Sequence, residues 1–398
     1  PDTSFPKIKY LTKIMRTFSL TLVCCLSFLT PYAQPVIKNL QGAIVEKDRL
    51  ESSIKQIVDT SQIVGLSVVI INDNKIAYTH TFGVKNKQTN ALLNDTTIMY
   101  AASFTKPVSA YTFLKLVEKG TFNLDTPIYK YLKKPIGEYE KWKDLATDTA
   151  FAQVTPRMLL SHSSGLPILR FLYNDKVNLI APPGKRFYYS NEGLNLLGVI
   201  IEEQTGKKLE VVAKELVFDP LQMNHTSLTW QPSFESDYAL GYTANGALYG
   251  AEKRVSARAA GSMVTIASDY AKFIIALMQQ KGLNKKLFTQ MLTPQIRIKA
   301  KRGFGPLRDS ITTEFDNIQL SWGLGVGLIK TPYGRALFHT GNNEGWHNYF
   351  IAYPEKKTAV IFLSNSLNFG HAADKLLQLT IGDTLSPLKW LGIYDHAE

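Results

Sequence analysis

Residues 101–111 read AASFTKPVSAY and place Ser103 three positions before Lys106. The stretch follows a β-type run, TTIMYAA (96–102), and opens a helical one, SFTKPVSAYTFLKLVEKG, that ends at Gly120. Proline is tolerated in the first turn of a helix and not in its interior, so Pro107 predicts a helix starting close to Ser103. Residues three apart on a helix share a face, which brings the Lys106 amine within reach of the Ser103 hydroxyl. A helix start also offers backbone N–H donors to a developing oxyanion. The spacing alone decides nothing, because S-x-x-K occurs four times, from Ser4, Ser52, Ser103 and Ser386. At most one can be a catalytic centre. Ser4 precedes an N-terminal targeting-like segment, Ser52 falls inside an amphipathic helical pattern, and Ser386 precedes Pro387.

Around this stretch the chain divides into three. Apolar positions at Leu50, Ile54, Ile57 and Val58 predict a helix over 46–60. GLSVVIINDNKIAYTHTFG then reads as two strands about the turn residues Asn72, Asp73 and Asn74. Roughly 103–280 is mostly helical pattern with long loops. Its clearest helix follows Ser268, with Tyr270, Phe273, Ile274, Leu277 and Met278 on one face and Gly282 marking its end. From 320 the strands return as LSWGLGVGLIK, RALFHTG, HNYFIAY and TAVIFLSN, with TPYG, a long NNEGW connection and PEKK between them. A last helix is expected around AADKLLQLTIGD. Strands at both ends with helices between predict an α+β fold. Its mixed, mostly antiparallel sheet is flanked by N- and C-terminal helices and carries an inserted, mostly helical lobe. The expected sheet lobe is about 45–100 and 285–390, the helical lobe about 101–284, within one domain over 34–398.

Residues 1–33 stand apart. Lys7, Lys9, Lys13 and Arg16 precede the apolar run TFSLTLVCCLSFLTPYAQP, a charged region and apolar core with a small-residue exit near Ala33. This predicts a signal segment and export to the periplasm or beyond the cell. The alternative is a membrane anchor over 17–33, disfavoured by Pro31 and by a run shorter than the ~20 residues a span needs. With Met15 as the start, 1–14 would be an upstream extension. Both cysteines, Cys24 and Cys25, lie here, so the mature chain has neither disulfides nor cysteine chemistry. The seven histidines form no H-E-x-x-H or H-x-H motif. No metal site and no cofactor are expected, and the nucleophile should be a hydroxyl. The formal charge of +12 falls to +9 without residues 1–33, which hold four basic groups and one acid. The basic residues are not clustered, so a solvated surface is expected and nucleic acid is not.

Two further stretches single out Ser103. PPGKRFYYSNEGLNLLGVIIEEQTG carries Tyr189-Ser190-Asn191 at the start of a helix, and RALFHTGNNEGW carries His339-Thr340-Gly341 at the end of a strand. With these the chain resembles the serine β-lactamase and penicillin-binding fold. Within that fold it is similar to the class C β-lactamases, D-Ala-D-Ala carboxypeptidases, D-aminopeptidases and esterases. LLSHSSGLP (159–167), GSMVTIASDYAKF (261–273) and YFIAYPEKKTAVIFLSN fit the same family, and the resemblance runs from about 45 to 380.

The resemblance implies a small-molecule or peptide substrate, such as a cell-wall fragment, and a role for each motif residue. Ser103 attacks and carries the acyl group, and Lys106 polarises it. Tyr189 is a further general base and acid, with Lys106 favouring its phenolate. Asn191 orients Lys106 and the substrate amide. Thr340 belongs to the same substrate-binding strand. Gly341 lets that strand approach the substrate, and the N–H groups of Ser103 and Asn342 hold the oxyanion. His162 braces its loop, while Trp346 and His347 line the pocket. His-Thr-Gly stands where the β-lactamases carry Lys-Thr-Gly. A histidine is mostly neutral at neutral pH and would gain charge near pH 5.5 at its ordinary pKa of about 6.5. Esterase or D-amino-acid peptidase activity is therefore expected ahead of efficient β-lactam hydrolysis. The alternatives are a class C-type β-lactamase and a sensor that acylates without turnover.

Overall fold

The computed structural model describes residues 1–3 and 36–393; the expected signal segment, including Ser4 and both cysteines, lies outside the described residues. From Val36 onward the chain forms one compact unit. Its N-terminal part holds α1 (Lys47–Thr60), β1 (Gly65–Asn72), β2 (Lys75–Asn86), β3 (Ala91–Leu92) and β4 (Met99–Ala102). The two-residue turn between β1 and β2 is built by Asp73 and Asn74 at φ +52° and +58°, the left-handed pair that a tight hairpin requires.

The inserted lobe carries α2 (Thr105–Glu118), α3 (Pro156–Leu160), α4 (Asn191–Thr205) and α5 (Leu209–Ala213). Two minor strands follow, β5 (Gly241–Tyr242) and β6 (Leu248–Gly250), then β7 (Met263–Thr265) and α6 (Ala267–Met278). The helix expected to end at Gly282 stops at Met278, and Gln280 takes the left-handed conformation ahead of Gly282. The return consists of α7 (Lys285–Met291), β8 (Ile296–Arg297), β9 (Ser321–Trp322), β10 (Gly327–Thr331), β11 (Gly334–Asn343), β12 (Trp346–Tyr353), β13 (Thr358–Ser364) and α8 (Ala373–Ile381).

Nine strands make one sheet in the order β3-β2-β1-β13-β12-β11-β10-β9-β8. Chain start and chain end meet at its centre, where β1 pairs with β13 from Leu66↔Ser364 to Ile71↔Ala359. Every pairing in this sheet is antiparallel, so it is simpler than the mixed sheet expected. β4 is not part of it; it pairs with β7.

Both faces of the sheet are covered, which is why β1 and β13 are apolar without alternation and buried throughout. Leu66, Val68, Ile70, Val360 and Phe362 face one core with α1 and α8. Val69, Ile71, Ile361 and Leu363 face the other, with α2, α4 and α6 of the inserted lobe. The result is three layers, helices on each side of the sheet.

The expected long NNEGW connection is a tight hairpin. β11 runs on through Asn342 and Asn343, which pair with His347 and Trp346, and only Glu344 and Gly345 turn. Asparagine is a poor strand former, but here pairing along an existing neighbour decides. The consequence is that β11 outruns its other neighbour. β10 pairs with it only as far as Gly327↔Phe338, so residues 339–343 have an open edge beside β4 and the start of α2.

Candidate active site

β4 delivers Ser103 through a strained turn. Ala102 sits at φ +48°, a conformation that costs a non-glycine residue about 1–3 kcal/mol. The chain then turns into α2, which starts at Thr105, two residues after Ser103. Thr105 fastens this corner: its hydroxyl donates to the Ala102 carbonyl at 2.6 Å and accepts from the N–H groups of Ser262 and Met263 at 3.1 and 3.0 Å. Asn348 of β12 ties the corner to the sheet. It donates to the Tyr100 carbonyl at 3.1 Å and accepts from the Ser364 N–H at 3.0 Å.

Lys106 is completely buried. Its Nζ lies 2.8 Å from Ser103 Oγ and donates to the Ala260 carbonyl at 2.5 Å. It also stands 4.8 Å from the centre of the Tyr189 ring. Burial pushes its pKa well below the ordinary lysine value. The Asn191 amide does not orient it. Asn191 lines the cavity with an unpartnered Oδ1, and the Ala260 carbonyl holds the amine instead.

Tyr189 is buried, with its hydroxyl neighbouring that of Ser103. Burial pushes its pKa up, weakly opposed by the neighbouring Ser103 hydroxyl. Burial opposes the phenolate expected beside Lys106. In a dry site both groups favour their neutral forms, amine and phenol. The LLSHSSGLP stretch is the cradle of Tyr189. His162 accepts the Tyr188 N–H on its carbonyl (2.7 Å) and the Ser190 N–H on Nδ1 (3.0 Å). Pro167 and Ile168 accept from the Ser190 hydroxyl and the Asn191 N–H. The His162 ring lies over that of Tyr189, centres 4.3 Å apart. Ser190 caps α4 by accepting from the Gly193 N–H.

On the open edge of β11, His339 is fully buried and is not among the residues lining the cavity at Ser103. Its Nδ1 lies 2.6 Å from the Thr340 carbonyl and must therefore carry the proton. Burial first, then the nearby Lys106, push its pKa down to about 3, so it does not become charged near pH 5.5 as expected. Thr340 and Asn342 do line the cavity. Gly341 is required by the corner of β4. A Cβ there would stand 2.4 Å from the Ala101 carbonyl and 3.0 Å from Asn348 Nδ2. The Ser103 N–H makes no hydrogen bond among the described residues. Residues two apart on a strand present their N–H groups to the same edge. Asn342 shares parity with Phe338, the last residue of β11 paired to β10.

These groups border a cavity of about 560 Å³ between sheet and inserted lobe. Arg254 and Arg258 also line it, with Tyr100 and His347; nothing in the motifs pointed to either arginine. Trp346 is buried beside it against Tyr100. Of the other serine–lysine pairs, the two among the described residues are structural. Ser52 bonds the Arg49 carbonyl while Lys55 pairs with Asp59, and Ser386 bonds Asp383. Among the described residues no cluster of His, Cys, Asp and Glu is arranged to hold a metal ion.

Residues 50–381 match the Beta-lactamase family model. The chain is 26% identical over 341 residues to a beta-lactamase of Escherichia coli (strain K12), covering 80% of this chain and 88% of the relative. Penicillin-binding protein 4* of Bacillus subtilis (strain 168) is 25% identical over 335 residues, 75% of this chain and 67% of the relative. The octameric penicillin-binding protein homologue from Pyrococcus abyssi superposes with a TM-score of 0.68 at 25% identity, over 87% of this chain and 79% of that one.

The contact of β11 with β4 predicts that Gly341→Ala costs about 1–3 kcal/mol, the usual penalty of overpacking, read as a lower urea midpoint. An unchanged midpoint would show that β11 can retreat from Ala101. His339 gives a pH test. Its folded pKa lies below the unfolded value of about 6.5, so the unfolded chain takes the proton first. The stability it contributes is complete above pH 6.5 and is lost as pH falls toward 3. Wild type should lose stability relative to His339→Gln below pH 6.5, by up to about 1.4 kcal/mol per pH unit. A difference that stays constant from pH 8 to 4.5 would contradict the burial argument.

Proposed function

The chain belongs to the beta-lactamase family, and from that premise we propose an exported serine hydrolase that acylates Ser103 and hydrolyses ester or amide bonds. The observation that carries this reading is the fully buried Lys106 amine, 2.8 Å from Ser103 Oγ, in surroundings that disfavour its ammonium form. A neutral amine has the lone pair a general base needs. Ser103 Oγ attacks the acyl carbonyl as its proton passes to Lys106 Nζ. The new ammonium keeps its bond to the Ala260 carbonyl and faces the Tyr189 ring. The oxyanion is held by the N–H groups of Ser103 and Asn342. Tyr189, a neutral phenol in reach of the same centre, gives its proton to the leaving group and is reprotonated from Lys106. Water then attacks the acyl-enzyme, giving a proton to the same pair, and Ser103 leaves with one. Thr340 and Asn191 hold the substrate.

His339 supplies no charge to the cavity, and this supports esters, or amides of D-amino acids, ahead of β-lactams that need a cation on β11. The export reading rests on residues 1–33. Among the described residues no helix is long and apolar enough to cross a membrane.

Ser103→Ala should abolish turnover of p-nitrophenyl acetate and labelling by a fluorophosphonate, a loss on the order of a million-fold in kcat. Labelling that survives sinks the assignment, and a burst without turnover would mark a sensor. The pH profile tests the protonation states. kcat/KM should rise through the depressed pKa of Lys106, level off well below pH 10.5, and decline only above the ordinary tyrosine value of about 10. An acid limb centred at the ordinary lysine value would mean that Lys106 rests as ammonium. Lys106→Ala and Tyr189→Phe should each cost several orders of magnitude and the double variant little more, since groups that share a proton are not additive.

A further inference from the structure

The cavity at Ser103 does not end at the reacting groups. Leu169, Asn195 and Arg258 are shared with a second cavity, of about 740 Å³, that continues along α4 past Gly198 and Glu202. On another side, Tyr189, Ile168 and Phe304 separate the site from a mostly apolar cavity of about 410 Å³. Substrate has two directions to extend, and they differ in chemistry.

Arg258 stands at the first junction with its backbone fixed. Its N–H donates to Ser262 Oγ at 2.9 Å, and its carbonyl accepts from the Gly261 N–H at 3.1 Å. Two residues on, Ala260 holds Lys106. One turn therefore sets both the base and the root of the arginine. Its side chain is exposed and makes no ion pair or hydrogen bond among the described residues. The other charges nearby are mostly spoken for. Arg254 pairs with Glu252 at 2.9 Å, Arg170 with Glu192 at 2.5 Å and Lys208 with Glu202 at 3.9 Å. Glu210 accepts from Ser227 and the Leu228 N–H. Lys141 and Arg258 remain as cations without an acid, against Glu344 in the β11–β12 turn.

We propose that Arg258 anchors a carboxylate on the acyl portion of the substrate, so that the preferred acyl donor is extended and anionic. A guanidinium fork matches a carboxylate with two parallel hydrogen bonds, which a neutral group cannot return. The acyl side is assigned by the proton path: the leaving atom must reach Tyr189, which borders the apolar cavity, so what lies toward Arg258 belongs to the acyl group. This rests on Ser103 as nucleophile.

The test compares two p-nitrophenyl esters of equal chain length on the purified protein, the hexanoate and the hydrogen adipate, at fixed ionic strength. Wild type should favour the adipate in kcat/KM. Arg258→Ala should lower the adipate-to-hexanoate ratio about tenfold, the size expected for a lost bond to a charged group. The loss should fall on the KM for adipate, and Arg258→Lys should restore part of it. Glu344→Gln should raise the ratio, and added salt should lower it in wild type, because the arginine is solvent-accessible. A ratio that is the same in wild type and Arg258→Ala overturns the anchor and leaves Ser103 standing. Failure of either ester to acylate wild type, with neither a burst nor turnover, overturns the Ser103 reading and the anchor together.

Discussion

An amine with no solvent contact and two oxygen partners governs this structure. Lys106 cannot hold a proton cheaply where it lies, because burial removes the water that would stabilise the charge and no acid replaces it. What surrounds it keeps that condition. Thr105 ties the start of α2 to Ser262 and Met263, which fixes the carbonyl of Ala260 against Nζ. The two neighbouring imidazoles, His162 and His339, are buried as well; burial presses both toward the neutral form, and a proton on Lys106 presses them further. Three basic groups thus share one dry space. In the proposed cycle a proton taken from Ser103 by Lys106 would raise the cost of placing a second on either ring, leaving the imidazoles as neutral hydrogen-bonding braces.

The rest of the fold supplies a rigid place for that space. The central pairing of β1 with β13 closes the sheet, and Asn348 carries its rigidity to β4 by bonding Tyr100 and Ser364 at once. The left-handed Ala102 lifts Ser103 out of the β4–β7 pair into the cavity. Strain of this kind persists only where neighbours determine the backbone on every side, and Thr105, Asn348 and Gly341 do so here.

Much of this was legible in the sequence. Period and turn chemistry gave α1, the β1–β2 hairpin, α4 and the returning strands, and the motif order brought Ser103, Lys106 and Tyr189 together. What could not be read is instructive. The end of α6 was placed at Gly282 because glycine is the usual signal, yet Gln280 turns left-handed there. Asn342-Asn343 read as loop because strand propensity is weak beside the pull of a paired neighbour. The partner of Lys106 is a backbone carbonyl, and carbonyls leave no trace in residue identity. Arg254 and Arg258 belong to no periodic pattern and become part of the site only when the inserted lobe closes on the sheet.

Replacing a lysine by His339 on β11 does more than subtract a charge. A lysine there would add a second buried amine to the space around Lys106, and the two could not both be protonated cheaply. A histidine settles against its own strand, on the Thr340 carbonyl, and stays neutral. In the mechanism proposed above, proton transfer then runs among groups that burial favours as uncharged, Ser103, Lys106 and Tyr189. Among the described residues lining the cavity, fixed positive charge remains on the wall formed by Arg254 and Arg258. Arg254 is compensated by Glu252, which leaves Arg258, exposed and hydrated, as the charge that can meet a ligand without disturbing the buried amine. Separating the recognition of charge from the movement of protons lets each be tuned alone. An anion at Arg258 sits in screened solvent and changes the Lys106 pKa little, whereas the same anion beside Nζ would favour the ammonium and remove the base.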